Sequence, residues 1–108
     1  MAIAFTDDNF ESEILEFDGV VMVDFWAPWC GPCRALAPTV DELVEEFEDN
    51  EMVKIGKYNT DEDNSYAMKY NIMSIPCVKF WKDGDYVGEI VGLNDIDTYA
   101  EKIETLLK

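Results

Sequence analysis

The spacing of apolar positions changes from segment to segment, and each spacing predicts an element. A short apolar start, Ile3 to Phe5, reads as a strand. Asp8 with Glu11 three residues on is a capping-box-like opening for a helix whose Phe10, Ile14 and Phe17 share a face, and Gly19 ends that segment. Val20 to Trp26, VVMVDFW, is nearly continuous in apolar, often β-branched residues, the pattern of a central strand covered on both faces. After the turn APWCGPC comes a helix with Leu36, Val40, Leu43, Val44 and Phe47 on one stripe, and Pro38 inside it predicts a kink. Val53 to Asn59 alternates as a strand, and a short helix follows around Asn64 to Tyr70. Strands Cys77 to Trp81 and Tyr86 to Val91 flank an Asp83-Gly84 hairpin turn. Asn94 or Asp95 caps a last helix with the stripe Ile96, Tyr99, Ile103, Leu106 and Leu107.

The element order is βαβαβ, a short helix, then ββα. Strands alternating with helices call for parallel crossovers with helices over both faces, and the closing hairpin makes part of the sheet antiparallel. The expectation is an α/β fold, a three-layer α/β/α sandwich around a central mixed sheet. No repeat, low-complexity tract or linker divides the sequence, so residues 1–108 are expected to form a single domain.

Composition then narrows the functions. With 48% apolar and 13% aromatic residues the chain has ample material for a core, which argues against disorder. Eight Lys plus Arg against 24 Asp plus Glu give a net charge of -16, which makes nucleic acid and anionic membranes poor partners because binding phosphate takes clustered cations. MAIAFTDDNF has neither a basic nor an apolar signal region, and no stretch approaches the roughly 20 apolar residues of a membrane span, so the cytosol is the expected compartment. Gly84, Gly88 and Gly92 have the spacing of a membrane-helix motif, but Asp85 and Glu89 between them fit a turn and a strand. The absence of histidine removes imidazole chemistry, and three cysteines are too few soft ligands for an ordinary zinc site. No metal or organic cofactor is expected, and thiol chemistry stays open.

Cys30-Gly31-Pro32-Cys33 sits where a buried strand gives way to a helix. The spacing puts both sulfurs within one helical turn. Cys30 falls at the helix N-terminus, where unpaired N–H groups and the macrodipole favour a thiolate, which makes it the attacking sulfur. Cys33, one turn in and followed by apolar residues, is shielded and placed to resolve a mixed disulfide on Cys30. Pro32 fixes φ in the first turn, and Gly31 leaves room for a partner's backbone. A zinc half-site is the competing reading, and it would need a second ligand pair that Cys77 alone does not supply.

Val23-Asp24-Phe25-Trp26-Ala27-Pro28-Trp29-Cys30-Gly31-Pro32-Cys33, followed in order by Ala37-Pro38, Lys57, Asp61, Ile75-Pro76 and Gly92, resembles the thioredoxin family over nearly the whole chain. The resemblance implies the thioredoxin-like form of the sandwich and a cytosolic protein disulfide reductase. It also implies disulfide-containing protein substrates, a separate thioredoxin reductase fed by NADPH or ferredoxin, and a monomer. An oxidase or isomerase is the nearest alternative within thiol chemistry, and the Gly-Pro pair between the cysteines argues for reduction. A binding module that uses the same groove without dithiol turnover is the alternative from another class.

Asp24 interrupts a strand covered on both faces, where an unpaired carboxylate is costly and its pKa should rise. Lys57 shares strand parity with Val53 and Ile55, so it starts on their buried face and could reach Asp24 directly or through a water. In the family that this pair resembles, the buried acid moves protons to and from the inner cysteine; a purely structural ion pair is the other reading. Ile75-Pro76 resembles the family's cis-proline site, which binds an extended substrate peptide opposite the dithiol. With Trp29, Gly31, Pro32, Met73, Ser74 and Gly92 it would form the substrate groove, although Trp29 and Met73 also read as ordinary apolar surface. The resemblance suggests that Trp26 packs inside with its indole N–H on Asp61, and Pro38 is taken as structural support.

Three positions depart from the family pattern. Asn71 replaces a glycine, and Asn is the next-best residue for a left-handed helix end. Arg34 replaces a lysine beside Cys33, which keeps a positive charge near the dithiol. Cys77 stands where Thr is common, and it reads either as a small buried filler with a raised pKa or as a regulatory thiol. Glu42, Glu45, Glu46, Glu48, Asp49 and Glu51 crowd the end of the second helix where the macrodipole prefers cations. Salt adaptation, plain solubility and a basic partner are three readings of that acidity.

Overall fold

The strand Val20–Trp26 (β2) is the centre of a five-stranded sheet in the computed structural model, which describes residues 2–108. β2 pairs in parallel with Val53–Asn59 (β3) and antiparallel with Cys77–Lys82 (β4). Ile3–Phe5 (β1) lies parallel to β3 at one edge, and Asp85–Val91 (β5) lies antiparallel to β4 at the other, giving the order β1-β3-β2-β4-β5. The expected mixed sheet is therefore present.

Successive strand residues point to opposite faces, so the alternation along β2 separates two cores. Val20 and Met22 join Ile55, Val78 and Phe80 beneath Gly31–Phe47 (α1) and Ile96–Leu107 (α3), through Leu36, Val40, Leu43, Tyr99 and Ile103. Val21, Val23 and Phe25 face the other way, onto Phe10, Ile14, Tyr58 and Trp81, with Tyr66 and Ala67 of Ser65–Lys69 (α2) packed alongside. Helices cover both faces because both faces of the central strands are apolar. The three-layer expectation holds.

Local chemistry departs from expectation at the N-terminus. The chain enters its first helical turn through Thr6 and Asn9: the Thr6 N–H donates to Asn9 Oδ1 at 2.8 Å, and the Asn9 N–H donates to Thr6 Oγ1 at 3.2 Å. This reciprocal pair stands in place of the expected Asp8–Glu11 box: it is the same S/T-x-x-polar arrangement two residues earlier, closing on the N–H groups of Thr6 and Asn9. Glu11–Leu15 is then a π-helix, and Phe10, Ile14 and Phe17 share the second core as expected. Gly19, at φ 151°, lets the chain pass Met52, whose carbonyl oxygen a Cβ there would meet at 2.5 Å.

The other junctions follow the sequence. Asp83 and Gly84 take φ of 51° and 86°, a left-handed pair suited to a two-residue hairpin, and Asn71 takes 56° just after α2. Asp95, rather than Asn94, caps α3 by accepting the Thr98 N–H at 3.1 Å. Pro38 lies inside α1, where its missing N–H leaves the Arg34 carbonyl without a partner four residues on. The acidic residues from Glu42 to Glu51 are exposed, and the last turn of α1 has no cation. Among the described residues no helix is long and apolar enough to cross a membrane.

Candidate active site

Where β2 ends, the chain turns through Ala27–Trp29 and enters α1 at Cys30. The turn is tied at both ends: the Cys30 N–H donates to the Ala27 carbonyl at 3.1 Å, and Thr60 donates its N–H at 2.8 Å and its hydroxyl at 3.0 Å to the Trp26 carbonyl. Arg34 adds a clamp, its guanidinium donating to the Pro28 carbonyl at 2.9 Å. Its positive charge is thus spent in part on holding the loop that delivers the dithiol, a role beyond the expected surface charge.

Cys30 is the N-cap of α1, and Cys33 lies one turn in; the two are joined by a disulfide, with Cα atoms 5.2 Å apart. The Cys33 N–H donates to Cys30 Sγ at 3.2 Å. A helix N-terminus offers backbone donors that no intrahelical carbonyl satisfies, so negative charge on that sulfur is favoured. Cys30 retains 5% exposure against 1% for Cys33. The outer sulfur is thus the one that a second molecule reaches.

Opposite the sulfurs runs the segment Met73–Pro76. The Ile75–Pro76 bond is cis, and the Ile75 carbonyl oxygen lies 3.8 Å from Cys30 Sγ. Gly92 donates its N–H to the Pro76 carbonyl at 2.8 Å, so the end of β5 is fastened to the same segment. Gly31 and Gly92 have open space where a Cβ would stand, and Gly92 sits at φ 87°. Trp29 (68% exposed) and Met73 (85%) are apolar surfaces in the two segments that flank the disulfide, and Pro32 and Ser74 are exposed as well. Val91 and Leu93, half exposed on either side of Gly92, belong with them and were missed. Val91 ends the predicted strand and Leu93 carries no sequence signal of its own, and only the link from Gly92 to Pro76 reveals their position.

Asp24 is completely buried on β2, and neither carboxylate oxygen has a hydrogen-bond partner. Burial pushes its pKa up to about 7, against a smaller downward pull from the charge on Lys57. Lys57 stands directly across from Asp24 in the β2–β3 register, but makes no ion pair with it. Its ammonium lies 4.3 Å from the centre of the Trp26 ring, an attraction between a cation and an aromatic face. Lys57 also lines an open cavity with Asp41, Glu42 and Glu45 of α1, which places it on the expected side of the sheet.

The hydrogen bond to Asp61 expected of Trp26 is made instead by the other tryptophan. Trp29, not Trp26, donates its indole N–H to Asp61 Oδ1, at 3.0 Å. Trp26 is the last residue of β2, and its ring is taken up beneath Lys57. Asp61 lies past the end of β3, where the exposed Trp29 indole reaches it. Cys77 is a free thiol, 3% exposed. Burial above all raises its pKa, to about 11.

The family model Thioredoxin matches residues 1–105. Thioredoxin 1 of Synechococcus elongatus is 47% identical over 104 residues, covering 96% of this chain and 95% of the relative. Thioredoxin 1 of Nostoc sp. is 44% identical over 99 residues, covering 92% and 91%. The chloroplastic M-type thioredoxin of Spinacia oleracea is 44% identical over 101 residues, covering 94% of this chain and 55% of the longer relative. A match of this extent, over a fold that delivers a bonded cysteine pair to a helix N-terminus, means that the chain belongs to the thioredoxin family and is a protein-disulfide oxidoreductase working by dithiol–disulfide exchange.

Proposed function

We propose that the chain acts as a single unit in the reducing direction, with Cys30 as nucleophile and Cys33 as resolving thiol. The hydrogen bond from the Cys33 N–H to Cys30 Sγ is the observation that carries the choice of nucleophile, because it stabilises negative charge on the outer sulfur, and the Gly-Pro pair between the cysteines supports the reducing direction. The Cys30 thiolate attacks one sulfur of a substrate disulfide, forming a mixed disulfide and expelling the other sulfur as a thiolate that takes up a proton. Cys33 then loses its proton and attacks Cys30 Sγ. The second substrate thiol departs, and the chain is left with the Cys30–Cys33 disulfide. Two electrons have passed from the dithiol to the substrate.

Asp24 is the group proposed to take the Cys33 proton. A carboxyl titrating at about 7 is present near neutrality in both forms, which suits a group that must accept and return a proton. Lys57 biases that titration from across the sheet. The groove of Trp29, Gly31, Pro32, Met73, Ser74, Ile75, Pro76 and Gly92 binds an extended segment of the substrate, with the backbone of Ile75 beside the reacting sulfur. Trp26, Asp61 and Pro38 support that architecture. A thioredoxin reductase linked to NADPH or ferredoxin returns the electrons, and the chain works as a monomer in the cytosol without a metal or organic cofactor.

Reduction of a protein disulfide with dithiothreitol as electron source tests this scheme. Cys30→Ser should abolish turnover, and Cys33→Ser should accumulate a mixed disulfide between Cys30 and the substrate. Full turnover by Cys30→Ser, or a trapped adduct on Cys33 instead, contradicts it.

A further inference from the structure

Beside the groove, β4 and β5 carry a polar cluster that the exchange chemistry does not use. Lys79 is 4% exposed, and its ammonium donates to Glu89 Oε1 at 2.6 Å and to the Tyr86 hydroxyl at 3.1 Å. The same carboxylate oxygen accepts the Cys77 S–H at 3.6 Å. Cys77 and Glu89 also line a cavity with Met73, Ser74 and Val91, so this thiol, though buried, opens toward the surface that flanks the dithiol. Acting on Cys77 from the elements around it are Lys79 on its own strand, Glu89 and Tyr86 on β5 and Asp24 on β2, with Tyr58, Tyr66 and Tyr70 in the same core, whereas the side chain of Lys82, at the end of β4, turns to the Leu106 carbonyl of α3. Lys79 is the cation among them.

We propose that Glu89 keeps Cys77 out of thiol–disulfide exchange by serving at once as counter-ion to the buried Lys79 and as acceptor for the Cys77 S–H. A buried ammonium needs an anion nearby, and two candidates lie within its reach: the Glu89 carboxylate and a Cys77 thiolate. While Glu89 is charged, a thiolate would add a second anion beside a cation already neutralised, so sulfur keeps its proton. Remove that charge, and the thiolate becomes the counter-ion that Lys79 lacks. The chain would then hold a second nucleophile beside the groove, able to attack the same disulfides as Cys30 and form an adduct that Cys33 is not placed to resolve. Glu89 is thus a positioning residue for selectivity between thiols.

Alkylation of Cys77 by iodoacetamide in the oxidised protein tests this, because Cys30 and Cys33 are then blocked by their own disulfide. The thiolate displaces iodide to give a thioether, and mass spectrometry follows the rate across pH. In Glu89→Gln the rate profile should shift to lower pH, with reaction at least about tenfold faster near pH 8 and rates converging with wild type at high pH. Adding Lys79→Met to that variant should remove the gain. A profile that does not move overturns the proposal. So does an equal acceleration at every pH, which would report access through a loosened β5, or a double variant as fast as the single one. Should Glu89→Gln fail to fold, Lys79→Met alone carries the test: it should move the profile to higher pH, and an unchanged or lower profile overturns the proposal.

Discussion

Trp29 and Asp61 are joined by a hydrogen bond from the indole N–H to Oδ1 at 3.0 Å, across the gap between the dithiol turn and the loop after β3. The bond fixes the orientation of an indole that is 68% exposed and immediately precedes Cys30. Trp29→Phe keeps the aromatic face and loses the donor; Asp61→Leu loses the acceptor. Each should slow reduction of a protein disulfide several-fold while changing stability by less than about 1 kcal/mol, since the bond is exposed to water. In the double variant the two losses should coincide rather than add. Fully additive losses in turnover would show that the pair does not act as one unit.

Asp24 makes stability depend on pH in the direction opposite to an ordinary paired carboxylate. Its folded pKa is about 7 against 3.8 for a free side chain, so between these values the unfolded chain releases the proton while the folded chain retains it. Its contribution to folding therefore worsens as pH rises from about 4 to about 7, by about 4 kcal/mol in all. Asp24→Asn should raise stability at pH 7.5 by several kcal/mol and by little at pH 4, as read from urea unfolding at the two values. The same variant should slow resolution by Cys33 more than attack by Cys30. A gain in stability that is the same at both pH values would contradict the buried, unpartnered carboxyl.

Exposed acids from Glu42 to Glu51 end α1 without a compensating cation. Their mutual repulsion and their unfavourable position on the helix dipole are both screened by salt. The thermal midpoint should rise on going from low salt to about 1 M NaCl, where the screening length is about 3 Å. Glu45→Gln with Glu48→Gln should raise the low-salt midpoint and flatten the response. A midpoint that does not respond to salt in the wild type would remove the electrostatic cost.

Most of the fold was legible because the period of apolar residues changes sharply at its boundaries. VVMVDFW lacks a polar face, so it had to be central; Asp24 stood out within it as the one group needing a reason for burial. The dithiol turn was legible for the same kind of reason, since a strand, a tight turn and Pro32 leave little choice of where the helix begins. The remainder depended on distance in space. The resemblance set the Trp26 indole on Asp61, but the Trp26 ring lies beneath Lys57 and Trp29 makes the bond, which only distances in space show. Thr6 and Asn9 make a cap with no acidic member, which hides the entry to the π-helix from a search for Asp and Glu. Nothing in the sequence pairs Lys79 with Glu89; the β4–β5 register sets them opposite each other.

The most direct test of the central claim is a redox titration of the chain against graded glutathione and dithiothreitol buffers, with alkylation and mass spectrometry reading Cys30, Cys33 and Cys77 separately. A reductase requires that the Cys30–Cys33 disulfide persist in buffers poised to keep glutathione reduced and yield only to the stronger dithiol, with Cys77 a free thiol throughout. A Cys30–Cys33 bond that glutathione reduces readily would make the chain an oxidant of other proteins and contradict the reducing role assigned to it.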